Sequence, residues 1–134
     1  MKLSRKIKNN IRLEDFNSLK ILQNTDYFID IKKSQDLIEA RKLLNEKKIK
    51  HVILGQGTNL IIKEKTFKGL VIKNSLKELK EIKKNYIKIS SGFNWDKFIS
   101  FSLKNKLYGL ENLSGIPGTV GASPIQNIGA YGEE

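Results

Sequence analysis

Two stretches of the 134-residue chain gather residue types that can hold a ligand. The first is Gly55-Gln56-Gly57-Thr58-Asn59, followed by Leu60. Glycine admits positive φ and puts no side chain between backbone and ligand. Successive backbone N–H groups in such a loop can converge on an anion, and Thr58 and Asn59 add a hydroxyl and an amide donor. A diphosphate suits this loop without any lysine. A tight turn between two strands would use the same glycines, so the loop alone leaves both readings open. The second stretch runs from Gly109 to Gly132. Gly115, Gly118 and Gly121 recur at every third residue, Gly129 and Gly132 repeat the interval, and Ala122, Ser123 and Ala130 keep the surface low. Gln126 and Asn127 are amides that can read the edge of a heterocycle without adding charge. A planar ring bedded against backbone needs this combination. A glycine-rich loop whose amides satisfy its own carbonyls has the same composition.

Other chemistries are excluded or disfavoured. A dinucleotide fingerprint wants a third glycine where Leu60 stands, with a helix opening there, and an acidic residue about twenty positions on; Leu60-Ile61-Ile62 reads instead as a strand. No Gly-Lys-Ser/Thr follows the loop, so it is not a P-loop. The chain has no cysteine, which removes disulfides, thiolate metal sites and cysteine nucleophiles, and no metal site is expected. His51, the single histidine, has no acidic partner nearby in sequence and reads as a strand-edge residue rather than a base. The formal net charge of +11 is almost all lysine, with arginine only at positions 5, 12 and 41. Base reading favours arginine's flat fork, and no lysine or arginine occurs from Leu107 to Glu134. Charge and candidate site are therefore separated, and a solvated lysine-rich surface is expected rather than a nucleic-acid interface.

The elements that must position these loops follow from periodicity. Tyr27–Ile31, His51–Leu54 and Leu70–Ile72 read as strands, the second buried and ending at Gly55, the third beginning after a break at Gly69. Ser34 is expected to cap a helix over 35–47 with Leu37, Ile38, Leu44 and the stem of Arg41 on one face. Over 76–90 a strand–turn–strand is expected, turning at Lys84-Asn85 and placing Ile87 and Ile89 on one face. Asn94 is expected to cap a second helix to about Lys106, with Trp95, Phe98, Ile99 and Leu103 as its apolar stripe and Trp95 in the core. Purely apolar runs reach only three or four residues, whereas a membrane-spanning helix needs about twenty. The basic Met1–Lys6 segment is followed by no apolar stretch, so no secretory signal is read and a cytoplasmic protein is expected.

The run from Gly109 to Glu133 closely resembles the most characteristic stretch of the UDP-N-acetylenolpyruvoylglucosamine reductases. Gly55–Leu60 resembles their Gly-x-Gly-Ser/Thr-Asn-Leu pyrophosphate loop, and Gly92-Phe93-Asn94-Trp95 their Gly-Ala-Gly-x-x-Trp segment. The spacing of all three fits, so the resemblance covers nearly the whole chain. One departure stands at Asn17-Ser18-Leu19-Lys20-Ile21, where the family usually has Asn-Thr-Phe-Gly-Ile and Lys20 replaces the glycine. The resemblance implies an α+β, two-lobed FAD-binding fold of the p-cresol methylhydroxylase and vanillyl-alcohol oxidase type, with FAD between lobes over about 1–73 and 74–134. It implies that Gly55, Gln56, Gly57, Thr58, Asn59 and Leu60 bind the pyrophosphate. Ile116, Pro117, Gly118, Thr119, Val120, Gly121 and Ala122, with Asn127, Ile128 and Gly129, would bed the flavin ring and ribityl chain. Tyr131 would face the substrate side. The implied activity is an oxidoreductase of peptidoglycan precursor synthesis, in which FAD relays a hydride from NADPH to UDP-N-acetylglucosamine enolpyruvate. The family's substrate-binding domain and its catalytic serine, arginine and glutamate have no counterpart before Glu134. No catalytic residue is therefore assigned, the fold is expected to be incomplete at its C-terminus, and the chain alone is expected to lack reductase activity. A catalytically inactive flavin-binding fragment is the alternative, and a basic nucleic-acid-binding module a weaker one.

Overall fold

The apolar runs near residues 29, 53 and 71 pair into a single sheet. The structure, a computed structural model, describes residues 3–84 and 86–133, which fall into two units, Met1–Ser75 and Leu76–Glu134. In the first unit the strands are β1 (Lys8–Arg12), β2 (Asn24–Ile31), β3 (His51–Leu54) and β4 (Thr66–Asn74), in the order β1-β2-β4-β3. β1 lies antiparallel to β2, whereas β2 and β3 both run parallel to β4. Phe28 and Val71 are register partners on one face, and Ile29 and Ile72 on the other. On the first face Leu13, Phe28, Leu54, Phe67 and Val71 form a buried cluster. Each such side chain stabilises the fold by ~1.5–3 kcal/mol when fully buried. β1 was not legible: Lys-Asn-Asn-Ile-Arg has little strand propensity, and pairing with β2 imposes the conformation.

Helix α1 (Ser34–Lys47) joins β2 to β3 and packs against β2. Its N-cap is Lys33, and Ser34 is already helical. The helix buries Asp36 and Ala40, whereas Leu37 and Ile38 are exposed. The expected face is thus rotated, because Asp36 turns inward to pair with Lys6 at 2.5 Å. β3 is an edge strand with Ile53 exposed, not a fully buried one. Gly69 does not break the chain; it sits inside β4 at a bulge, where the register with β2 shifts between Thr25 and Tyr27. A Cβ at Gly69 would lie 2.4 Å from the Lys50 carbonyl oxygen, so only glycine lets the chain past.

In the second unit β5 (Leu79–Lys83) and β6 (Tyr86–Ile89) form the antiparallel hairpin expected over 76–90, with Ile87 and Ile89 on its more buried face. The expected turn residue Asn85 lies outside the described residues. Helix α2 (Trp95–Lys104) follows. The Asn94 side chain accepts a hydrogen bond from the Lys97 amide at 2.8 Å, as its capping role requires. Trp95, Ile99 and Leu113 are buried together, and the Trp95 indole donates to the Leu113 carbonyl at 2.9 Å. Leu103 is exposed and Ser102 buried in its stead. The helix ends at Lys104. Lys106 (φ 57) donates its amide to Leu103 and Leu107 donates to Ser102, a left-handed C-terminal closure.

Candidate functional site

Parallel neighbours such as β3 and β4 need a crossover, usually a helix. Here residues 55–65 make it without regular structure. The Leu60-Ile61-Ile62 run is therefore not a strand, although it alternates: Leu60 and Ile62 pack on the buried cluster, and Ile61 is 72% exposed. The Gln23 side-chain amide donates to the Ile62 carbonyl and the Lys73 ammonium to the Gly55 carbonyl, tying down both ends. With its side chain in the core, Leu60 can offer a ligand only its backbone.

Gly57 has φ +70, which favours glycine. The space beside it, however, belongs to protein. A Cβ there would lie 1.9 Å from the Phe16 carbonyl oxygen and 3.0 Å from Asn17 Cα. The Ser18 amide donates to the Gly57 carbonyl at 3.0 Å. Glycine is needed because two backbones meet, a constraint the loop's own sequence does not carry. The N–H groups of Gly57, Thr58 and Asn59 donate to no atom among the described residues. Thr58 is half-buried and Asn59 exposed. Three successive free donors in a loop without charged side chains can compensate a phosphate-like anion.

The segment that meets Gly57 is itself held by Asn17, which is 9% exposed. Its side-chain amide donates to the Leu13 and Ile21 carbonyls at 2.7 and 3.2 Å, and its oxygen accepts from the Ile21 amide at 3.0 Å. Lys20 has φ +53, a conformation that glycine adopts without strain. The Lys20 departure therefore leaves the loop in a glycine-like shape.

The glycine-rich segment is strapped to the entry of α2. Gly118 accepts from the Trp95 amide at 3.0 Å, Val120 donates to Phe93 at 2.9 Å, and Gly121 donates to Ser91 at 2.8 Å. A Cβ on Gly121 would meet Ser91 Cβ at 2.4 Å. Ile116, Val120, Ile128 and Ala130 turn their side chains onto the Trp95 cluster. Thr119 is 4% exposed, so its hydroxyl is not offered to solvent. Gly118 has φ +144 with the Gln126 amide packed beside it, so Gln126 serves its own loop. Asn127 (φ +50), Gly129 and Pro117 are exposed, and Ala122 and Gly121 half-buried. Tyr131 (φ +54) is 91% exposed. Ile125 is 86% exposed as well, so the segment presents these side chains beside the backbone of its glycines.

Two carboxylates shape its start. Asp96, in the first turn of α2, accepts from the Gly115 amide at 2.8 Å and the Ser114 hydroxyl at 2.9 Å, which hold its carboxyl below the usual 3.8. Glu111 accepts from the amides of Gly109 and Leu110 at 2.6 and 2.9 Å. Backbone hydrogen bonding, at Glu111 itself and then from Gly109, lowers its carboxyl from 4.5. Sequence reading assigned neither a role: Asp96 lies just past the Gly92–Trp95 segment, and Glu111 lies inside the Gly109–Glu133 run but bonds only to backbone amides that local sequence does not single out. A hollow of about 480 Å³ in this unit, lined by Ile87, Phe98, Ser102, Lys106, Leu107, Tyr108 and Leu110, shares no residue with the glycine-rich run after position 110. Among the described residues no three His, Cys, Asp or Glu side chains could hold a metal, and no helix is long and apolar enough to cross a membrane.

Residues 25–134 match the model of a family described as an FAD binding domain. The UDP-N-acetylenolpyruvoylglucosamine reductase of Buchnera aphidicola subsp. Baizongia pistaciae is 37% identical over 125 residues, 91% of this chain and 37% of the relative. That of Shewanella baltica is 37% identical over 126 residues, 91% of this chain and 36% of the relative. That of Porphyromonas gingivalis is 35% identical over 132 residues, 96% and 39% respectively. The chain spans a little over a third of the length of these relatives. The crystal structure of UDP-N-acetylenolpyruvylglucosamine reductase from Thermus caldophilus superposes with a TM-score of 0.64 at 18% identity, over 87% of this chain and 40% of that one. This last likeness is one of fold.

Proposed function

The chain belongs to the FAD-binding domain family, and from that premise we propose that it is the FAD-binding part of an NADPH-dependent reductase. The reaction we assign is the conversion of UDP-N-acetylglucosamine enolpyruvate to UDP-N-acetylmuramate, in the cytoplasm, as a step of peptidoglycan precursor synthesis. The relatives' names support the activity, and the chain matches a little over a third of their length. The finer fold assignment is the p-cresol methylhydroxylase type.

One observation carries the cofactor reading: the successive amides of Gly57, Thr58 and Asn59 after β3, which have no acceptor among the described residues. A diphosphate supplies the acceptors these donors lack, through charge-assisted hydrogen bonds that are shorter and stronger than neutral ones. Gly55, Gln56 and the Leu60 backbone complete the loop. In the second unit Ile116, Pro117, Gly121 and Ala122, with Asn127, Ile128 and Gly129, all half-buried or exposed, offer a surface to the flavin ring and ribityl chain. Gly118 and Val120, bonded to Trp95 and Phe93, and Thr119, bridged to Asn94, hold that surface at the entry of α2. Tyr131, almost wholly exposed, is assigned to the substrate side. When bound, FAD supplies the hydride-transfer chemistry; the protein orients it and compensates its charge.

The test is titration of the purified protein with FAD, FMN and riboflavin, followed by flavin fluorescence. FAD is expected to bind at least tenfold tighter than riboflavin, with ADP competing. Riboflavin binding as tightly as FAD would remove the pyrophosphate assignment. Salt-sensitive binding of duplex DNA or RNA without flavin uptake would replace the whole reading.

A further inference from the structure

We propose that the 13–21 loop is a positioning element for the anion-binding amides, acting through the single hydrogen bond from the Ser18 amide to the Gly57 carbonyl. The proposal rests on the assignment of Gly57–Asn59 to the cofactor pyrophosphate, and it adds residues that make no contact with the anion.

The three donors help only if they point the same way before the ligand arrives, since ordering them afterwards subtracts from affinity. The 55–65 crossover has no regular structure to hold them. What holds Gly57 is the facing backbone: Ser18 N–H on its carbonyl at 3.0 Å, and the Phe16 carbonyl 1.9 Å from where a Cβ would stand. That facing backbone is rigid for its own reasons. Asn17 spans the loop with three hydrogen bonds to Leu13 and Ile21. The Leu13 amide donates to Gln23 at 2.7 Å and the Phe16 amide to Leu13 at 2.9 Å. Leu13 is buried, and the Phe16 ring lies 4.7 Å from that of Phe28 on β2. A chain of short contacts thus runs from the core, through Asn17 and Ser18, to Gly57. Fixing the Gly57 carbonyl fixes the peptide plane whose N–H belongs to Thr58, so the brace aims a donor directly.

Ser18→Pro tests this with little collateral change. It removes one N–H, and Asn17 already has the extended conformation (φ −130, ψ 143) that a following proline requires. Ser18→Ala keeps the amide and is the control. FAD affinity, measured by fluorescence titration, is expected to fall about tenfold in Ser18→Pro, the order of one lost hydrogen bond plus some lost pre-organisation. Ser18→Ala should stay within twofold. Thermal midpoints without FAD should differ little, because proline also restricts the unfolded chain. A folded Ser18→Pro protein that binds FAD like Ser18→Ala overturns the proposal. If Ser18→Pro does not fold, amide hydrogen exchange of the unaltered protein decides. FAD should slow exchange at Ser18 together with Gly57–Asn59, and protection of 57–59 with Ser18 unchanged overturns the brace. Failure of the unaltered protein to bind FAD at all defeats the cofactor assignment itself, a separate outcome from loss of the brace alone.

Discussion

Replacing Gly57 by alanine separates two explanations for a glycine in an anion loop. If the glycine only clears space for phosphate, alanine costs the ligand-free protein about 1 kcal/mol of left-handed backbone strain and mainly harms binding. The structure places the added methyl elsewhere. It would stand 1.9 Å from the Phe16 carbonyl oxygen, whereas nothing approaches a Cβ closer than about 3.0 Å, so one backbone must retreat by roughly 1 Å. Overpacking of that kind typically costs about 1–3 kcal/mol. The Ser18–Gly57 hydrogen bond, whose donor sits on the displaced 13–21 loop, is lost for about 1 kcal/mol more. The sum is roughly 3–5 kcal/mol in the absence of any ligand, and at about 4–8 °C per kcal/mol for a unit of this size the thermal midpoint should drop by more than 10 °C. Differential scanning fluorimetry without FAD measures it, and circular dichroism confirms what remains folded. A midpoint within about 5 °C of the unaltered protein, with FAD binding lost, would refute the backbone-contact reasoning and restore the simpler reading of phosphate clearance.

Three further outcomes follow from the same geometry. Gly121→Ala should destabilise the second unit by about 1–3 kcal/mol, because its Cβ meets Ser91 Cβ at 2.4 Å; adding Ser91→Gly should recover part of the loss in urea denaturation, and no recovery would refute the contact. Lys106→Gly, at a left-handed position closing α2, should raise stability by about 0.5–1 kcal/mol, and a lower thermal midpoint would contradict the assigned closure. Asp96 has a folded-state pKa below its ordinary 3.8, so its contribution is present above that value and is lost as pH falls through the lowered one. The difference in denaturation midpoint between the unaltered protein and Asp96→Asn should therefore be level from neutral pH down to about 4 and narrow below it; a constant difference throughout would mean that the charge of Asp96 carries nothing.

Local signals were legible where one residue type serves one local purpose. Asn94 could be read as a cap because its donor is three residues ahead, and the hairpin over 76–90 because its alternation is short-range. The strands at 27–31, 51–54 and 70–72 declared themselves by apolar, β-branched runs. Both candidate loops stood out because glycine repeats and an absence of charge need no partner to be seen.

The readings that failed depended on contacts distant in sequence. β1 exists because β2 offers an edge to a segment with little strand propensity. The inward face of α1 is chosen by Lys6, thirty residues away, pairing with Asp36. Leu60 and Ile62 look like a strand and act as anchors for a crossover, since only the parallel pairing of β3 with β4 requires one. The sequence by itself thus determined which segments were available to hold a ligand. Tertiary structure decided why Gly57 and Gly121 are glycine, because steric exclusion there is set by the backbone or side chain that packing brings alongside, at Phe16 and Ser91, and no local pattern encodes that neighbour.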